Sequence, residues 1–297
     1  MAHSIAAVVG VRDEVELIEP CICHLYASGI ESVVVVDNNS SDGTEIVLDR
    51  LAAIGKIRLL RAAAGQLPDV QYFMRGIELA RSAFSPEWIL IQDADEFWIH
   101  RSGNLAQLVS NAHGDVLLVD RFNACLSDRL ASELDRFQES ALRKLDIFVQ
   151  SLRLSRNMMD TQPHIPWIAG KPGEKVIARA AAIAGVSAGG HGIIGVNGEQ
   201  LTPSRVSDAV IVHIPFSTET RFRRKIENVR DVMSTYPQLF SGEAGWHWRR
   251  WLDILAADEL HTEFANQYLS SADIEELRHG GIVSQAGTYL GLADATA

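Results

Sequence analysis

Four consecutive valines at residues 33–36, followed at once by turn and cap residues at 37–44, restrict the fold more than any other stretch of the chain. A strand with no polar alternation is buried on both faces, which points to a parallel sheet covered by helices. The flanking segments supply such helices. Val15, Ile18, Ile22, Leu25 and Gly29 recur at three and four residues. So do Ile46, Val47, Leu51 and Ile54, with Gly55 as a stop. Apolar runs at 4–11, 57–60, 88–92 and 115–120 predict four further strands, and Val70, Phe73, Met74, Ile77 and Ala80 a third helix. Strands alternating with helices make βαβ units, whose right-handed crossovers bring the strand C-termini to one edge. Ligands bind off that edge. Three polar clusters end strands there: Val11-Arg12-Asp13-Glu14, Asp37-Asn38-Asn39-Ser40 and Asp93-Ala94-Asp95-Glu96.

Composition removes several classes of function. Among 297 residues, Lys+Arg number 27 against 38 Asp+Glu, a formal charge of -11. That balance gives no basic footprint for a nucleic acid. Cys21, Cys23 and Cys125 are an odd set without framework spacing, which argues against a secreted disulfide scaffold. Mean hydropathy is only +0.03. No apolar stretch reaches the roughly 18–20 residues of a membrane span, and residues 1–11 lack the parts of a signal peptide. A cytoplasmic protein with no membrane span is the expectation.

Beyond Asp120 the pattern changes. Leu126, Leu130, Leu134, Phe137, Ala141, Leu145, Phe148 and Leu152 form a near-heptad stripe. It predicts one long helix or two end to end, packed on the protein's own sheet or serving a homodimer. Residues 165–191 read as strand and loop, 210–214 as a strand and 220–233 as a helix. Trp246, Trp248 and Trp251 form a cluster read as core, with a hydrophobic sugar platform and a membrane-surface patch as the other readings. The expected division is 1–120 as an α/β half, 121–217 as a second half that completes the same domain, and 218–297 as a helical lobe.

Asp93-Ala94-Asp95 carries the clearest chemistry. Carboxylates at i and i+2 of an extended segment face the same side, roughly 6–7 Å apart. At a strand end they suit a divalent cation that takes oxygen ligands and neutralises a departing diphosphate. The small polar groups of 37–44 can contact a nucleoside and also start a helix.

Taken together, Val11-Arg12-Asp13-Glu14, then Asp37 to Thr44, then Trp88 to Phe97 with its D-A-D-E-F core, resemble the successive motifs of glycosyltransferase family 2. Lys175 to Arg179, His191-Gly192, and His213-Ile214-Pro215-Phe216-Ser217 with Phe222 and Lys225 resemble the closing motifs of the same branch. The resemblance implies a GT-A-like Rossmann-type α/β fold with a mostly parallel sheet and a helical C-terminal lobe. It implies a UDP- or GDP-sugar donor, a Mn²⁺ or Mg²⁺ ion, and inversion at the sugar carbon. Asp37 would contact the base, Asp93 the ribose or metal, Asp95 the metal, and His213 would be a third ligand. Val11, Arg12, Glu14 and Asn39 belong to the donor motifs. The absence of Q-x-x-R-W implies single addition to an acceptor, either a glycan or a small molecule.

The general base is open among three residues. Glu174 stands where the family places it, Asp120 ends the predicted fifth strand, and His191 lies among glycines that permit close approach. Arg12, Arg75, Lys175 and Lys225 are the cations available to a diphosphate. Two other functions compete: a silent nucleotide-sugar-binding scaffold using the 126–152 stripe, and a sugar-nucleotide pyrophosphorylase. The second lacks the Gly-rich basic N-terminal loop that it needs.

Overall fold

The structure is a computed structural model describing residues 4–62, 69–110, 112–135, 139–240 and 245–292. The chain divides into two compact units. The first comprises Met1–Arg121, Gly173–Val212 and Leu290–Ala297, and the second Phe122–Pro172 and His213–Tyr289. The stretch 121–217 is therefore shared between the units, where the sequence suggested one continuous half.

The first unit begins as the periodicity predicts. Strand β1 (Ile5–Val11) leads through helix α1 (Ile18–Ala27) to β2 (Ser32–Asp37), and helix α2 (Thr44–Ala53) leads to β3 (Arg58–Arg61). Helix α3 (Asp69–Phe84) then leads to β4 (Trp88–Asp93). β5 (Glu96–His100) and β6 (Val116–Asn123) follow. The eight-stranded sheet runs β3, β2, β1, β4, the strand Lys175–Arg179, β6, the strand Ser204–His213, β5. The first four strands are parallel, and Lys175–Arg179 is antiparallel to both β4 and β6. The four valines are at most 1% exposed, as a strand covered on both faces requires. β5 has no counterpart among the expected strands. It starts at Glu96, inside the acidic motif itself, so the motif is a tight turn between two buried strands.

Helix α3 lies close on the sheet because Gly76 has no side chain. A Cβ there would fall 2.5 Å from Val8 Cγ1 and 2.8 Å from Val36 Cγ2. Phe73, Ile77 and Ala80 of α3 pack with Ala6, Val8, Ile89 and Ile91 in one core.

In the second unit the stretch expected as one long helix or two end to end carries two described helices and ends in a strand. The chain forms α4 (Asp128–Asp135) and α5 (Glu139–Lys144), then a strand Asp146–Phe148 antiparallel to Val283–Gln285. Leu126, Leu130, Ala141, Leu145 and Phe148 are buried, and Leu152 is exposed. Phe137 lies outside the described residues. The members whose burial is described are thus core except Leu152. Helices α6 (Arg156–Thr161), α7 (Glu219–Thr235), α8 (Trp246–Ala256) and α9 (Leu260–Ala265) complete the part used below. Trp251 is core, as read from the sequence, packed edge-on to Trp167, Phe222 and Trp248 at 4.9–5.2 Å between ring centres. Beside it Glu263 accepts bonds from both arms of the Arg250 guanidinium at 2.7 and 3.1 Å, and from Trp251 Nε1 at 2.9 Å. Among the described residues no helix is long and apolar enough to cross a membrane.

Gly76→Ala tests the seating of α3. Overpacking at such a site costs about 1–3 kcal/mol, more than the up to about 1 kcal/mol that alanine adds to helix propensity. Urea denaturation should show net destabilisation. A stabilised variant would mean that α3 sits farther from the sheet.

Candidate active site

The strand order 3-2-1-4 fixes where a ligand can enter. β1 lies between β2 and β4, and the crossovers leave it in opposite directions, which opens a crevice at the C-terminal ends of β1 and β4. Gly10 pairs with Val36 on one side and Asp93 on the other. A Cβ on Gly10 would run into the Tyr72 ring. Tyr72 therefore lies across the end of β1, with its hydroxyl 3.5 Å from Asp93 Oδ1.

The two polar loops beside the crevice are laced together. Asp13 and Asn39 have φ of 54° and 64°, a left-handed backbone that Asp and Asn tolerate better than most residues. The Asp13 N–H donates to Ser40 Oγ at 2.9 Å, and the Ser41 N–H donates back to Asp13 Oδ1 at 2.6 Å. The Glu14 N–H donates to Thr44 Oγ1, and the Val15 N–H to Asp42 Oδ2. Asp37 is 2% exposed, accepts the Ser40 N–H at 2.9 Å, and has Arg61 Nε 3.5 Å from its other oxygen. Its carboxylate thus shapes this corner, and Asn39 is the exposed side chain. Val11 is core and its carbonyl accepts the Asn38 N–H. Glu14 is buried, and Arg12 Nε lies 3.7 Å from Asp13.

At the end of β4 the acidic motif meets two buried cations. Lys175 is fully buried, with Nζ 2.7 Å from Asp93 Oδ2 and 3.3 Å from Glu96 Oε2. Arg121 pairs with the other oxygen of Glu96, which is also fully buried. The Asp93 N–H donates to Glu96 Oε2 at 3.0 Å, closing the turn. Burial pushes the Glu96 carboxyl up, and Lys175 and Arg121 oppose that shift. Asp95 is buried beside them and Asp93 is about one-third exposed. Lys175, expected among the cations that meet a diphosphate, is instead an internal counterion.

The three base candidates belong to one group. The ring of His191 sits between glycines. A Cβ on Gly173 would come within 2.9 Å of it, and one on Gly189, whose φ is 70°, would collide with it. His191 Nδ1 lies 2.6 Å from the Glu174 carbonyl oxygen. A carbonyl only accepts, so Nδ1 carries the proton and Nε2 keeps its lone pair. Burial lowers the pKa of His191 to about 4, helped by Lys175 and Arg121 and opposed by that hydrogen bond and by Asp93. Asp120 lies inside β6 and not at its end. Strand alternation sends Arg121 to Glu96 and Asp120 to Arg205. Arg205 also lies 3.4 Å from Glu174 Oε1, so one guanidinium holds both carboxylates. Arg121 and Arg205 were not singled out from the sequence. Their signal, an arginine beside a strand aspartate and another in a distant exposed strand, is too common to notice.

Arg75 is an exposed position of α3. His213 and Lys225 belong to the second unit. There Asn123 donates through Nδ2 to the carbonyls of Ile168 and Gly170 at 3.0 and 3.1 Å. Its Oδ1 accordingly accepts from His213 Nδ1 at 2.7 Å, which leaves Nε2 as the acceptor nitrogen of that ring.

The family model described as glycosyl transferase family 2 matches residues 7–164, more than half of the chain. The chain belongs to glycosyl transferase family 2. This glycosyltransferase has no match among curated proteins. Among solved structures it is similar to S. aureus TarS 1–349, at 14% identity and a TM-score of 0.45, over 94% of this chain and 92% of that one. Mannosyltransferase PcManGT from Pyrobaculum calidifontis, in complex with GDP-Man and Mn²⁺, is 16% identical with a TM-score of 0.36, over 95% and 80%. Glucosyl-3-phosphoglycerate synthase from Mycobacterium tuberculosis, in complex with Mn²⁺, UDP-glucose and phosphoglyceric acid, is 15% identical with a TM-score of 0.38, over 78% and 79%.

Among the described residues no cluster of three or more His, Cys, Asp or Glu side chains is arranged to hold a metal. Asp93 and Asp95 nevertheless fit one mode of divalent binding. Mg²⁺-like ions bind through one or two carboxylates and complete their shell with substrate phosphates and water.

His191 and His247 make stability depend on pH in one direction. Burial also lowers His247 to about 4, with Arg249 adding to the effect. Between pH 6.5 and 4 the unfolded chain binds protons that the folded chain refuses, so stability rises with pH through that window. Each group contributes on the order of 3 kcal/mol above it, since one pKa unit is about 1.4 kcal/mol. NMR titration should find both rings neutral at pH 5. His247→Gln should flatten the fall in unfolding free energy between pH 6.5 and 4.

Proposed function

We propose that the chain is a metal-assisted, inverting glycosyltransferase that moves a sugar from a nucleoside-diphosphate donor to an acceptor hydroxyl. The observation that carries this reading is the convergence of Asp93, Asp95, Tyr72 and His191 on the edge where β1 and β4 end. Asp93 and Asp95 would hold Mn²⁺ or Mg²⁺, and the ion when bound supplies positive charge against the growing charge of the leaving diphosphate. The laced loops at Asp13 and Asn39 would receive the nucleoside of a UDP- or GDP-sugar, with Asn39 as the exposed polar contact. His191 takes the proton of the acceptor hydroxyl at Nε2 as the oxygen attacks the sugar carbon in a single displacement. One displacement inverts that carbon. Glu174 and Asp120 are poorer candidates because Arg205 holds both. Free Cys21, Cys23 and Cys125 suit a reducing cytoplasm. Burial of Leu126, Leu130, Ala141, Leu145 and Phe148 counts against the scaffold reading, which would use that stripe as its partner surface.

The test is calorimetry with UDP, GDP and their sugars, with and without Mn²⁺, together with a transfer and donor-hydrolysis assay. One nucleotide should bind in a metal-dependent way, and Asp95→Ala should abolish that binding. His191→Gln should leave nucleotide binding within about twofold and lower turnover about 10²-fold or more, the usual weight of a general base. Failure of every nucleotide to bind under any metal condition would overturn the donor reading. Full turnover in His191→Gln would move the base elsewhere.

A further inference from the structure

The cation buried under the acidic motif occupies an oxygen that a metal ion would need. Lys175 Nζ is 2.7 Å from Asp93 Oδ2 and 3.3 Å from Glu96 Oε2, with no exposed surface. The remaining Asp93 oxygen faces the Tyr72 hydroxyl at 3.5 Å. Glu96 is fully buried and already faces Arg121, Lys175 and the Asp93 N–H, so its charge is compensated inside the protein. The ammonium cannot swing into solvent freely. Its stem enters the sheet between β4 and β6, where Lys175 is in register with Val119, and its Nζ lies 5.5 Å from the centre of the Phe73 ring.

We infer that Lys175 makes metal binding conditional on the donor: its charge holds Asp93 and repels a divalent ion, and only an ion arriving with a diphosphate binds well. Two like charges a few ångströms apart repel strongly where water is excluded. A diphosphate brings two compensations. Its oxygens complete the ion's shell, and its negative charge offsets the repulsion between ion and ammonium. The nucleotide-free protein then carries little metal, and metal and donor bind synergistically. By linkage, the factor by which nucleotide tightens metal binding equals the factor by which metal tightens nucleotide binding. This inference rests on the metal reading given above, and adds to it the residue that sets the order of binding.

The experiment is a Mn²⁺ titration followed by electron paramagnetic resonance of free Mn²⁺, on the whole chain, without nucleotide and with saturating UDP or GDP. The wild type should bind Mn²⁺ at least tenfold more weakly without nucleotide than with it. Lys175→Gln, which keeps hydrogen-bonding capacity but removes the charge, should bind Mn²⁺ alone at least tenfold more tightly than the wild type. Its gain from nucleotide should shrink. Lys175→Met should behave alike, and thermal melts confirm that each variant is folded. Equal Mn²⁺ affinity with and without nucleotide in the wild type would overturn the inference, whatever the variants do. So would a folded Lys175→Gln whose nucleotide-free affinity matches the wild type, while the metal reading itself survives. Absence of Mn²⁺ binding in every protein, even with nucleotide, would instead sink the metal reading and the inference with it.

Discussion

A four-membered ion group, Asp93, Lys175, Glu96 and Arg121, is the interaction on which the rest of the first unit depends. Burying a single charge costs several kcal/mol even after relaxation, and only a close opposite charge with further hydrogen bonds offsets it. Here carboxylates and cations alternate, and each comes from a different strand or turn. Asp93 ends β4, Glu96 opens β5, Arg121 lies on β6, and Lys175 starts the strand inserted between β4 and β6. Glu96 and Lys175, which have no exposed surface, cannot be buried until their partners are in place. The antiparallel insertion of Lys175–Arg179 is therefore more than a way of widening the sheet. It delivers the counterion that allows an acidic turn to sit in the core.

The crevice between β1 and β4 follows from the parallel half alone, whereas its chemistry comes from the antiparallel half. The parallel strands set the edge, and Gly10 lets Tyr72 lie over it. The laced loops at Asp13, Ser40, Ser41 and Thr44 then hold the edge rigid, using side chains that a ligand would otherwise have to order on binding. Lys175, His191 and Arg205 all come from beyond residue 172. They join the first 121 residues in one compact unit, although 51 residues of the second unit lie between them in the chain.

That interruption explains what the sequence shows and what it hides. The four valines, the 3.6-residue stripes and the terminal polar clusters are local, and each reads from a window of a dozen residues. They foretell β1, β2, β4, α1, α2 and the edge that carries the acidic pair. The partners of that pair are not local. Lys175 lies 82 residues from Asp93, and Arg205 lies 85 from Asp120. Nothing in their own surroundings marks them as counterions. The leucine stripe was legible only in part, for a related reason. A spacing of three and four fits a helix, but it fits equally well two helices and a strand whose apolar residues all enter one core, and the strand pairing of 146–148 with 283–285 depends on residues more than 130 positions away. The roles of Ser40, Ser41 and Asp42 are half legible: cap and turn chemistry is written in their types, and the lacing to Asp13 and Val15 is not.

The same electrostatics constrains which group can handle the acceptor's proton. A carboxylate locked to Arg205 gives up that ion pair if it takes a proton, so Asp120 and Glu174 would lose stabilisation in the step they were meant to assist. His191 has the opposite relation to its surroundings. Burial, with Lys175 and Arg121 adding to it, discourages its protonation, which keeps it neutral and its Nε2 lone pair ready near neutral pH. A base held near pKa 4 is weak toward a free alcohol, whose proton is far less acidic. In a displacement, however, the hydroxyl becomes acidic as its oxygen bonds to the sugar carbon and gains positive charge, so the proton moves late and downhill even to a weak base. The positive charge that then appears on His191 lies in the field of Asp93 as well as of the two cations. In the displacement proposed above, the departing diphosphate would add negative charge at that moment. The ion group that stabilises the folded turn would then also set the timing, resisting a proton on His191 in the resting enzyme and tolerating it once the leaving group has developed its charge.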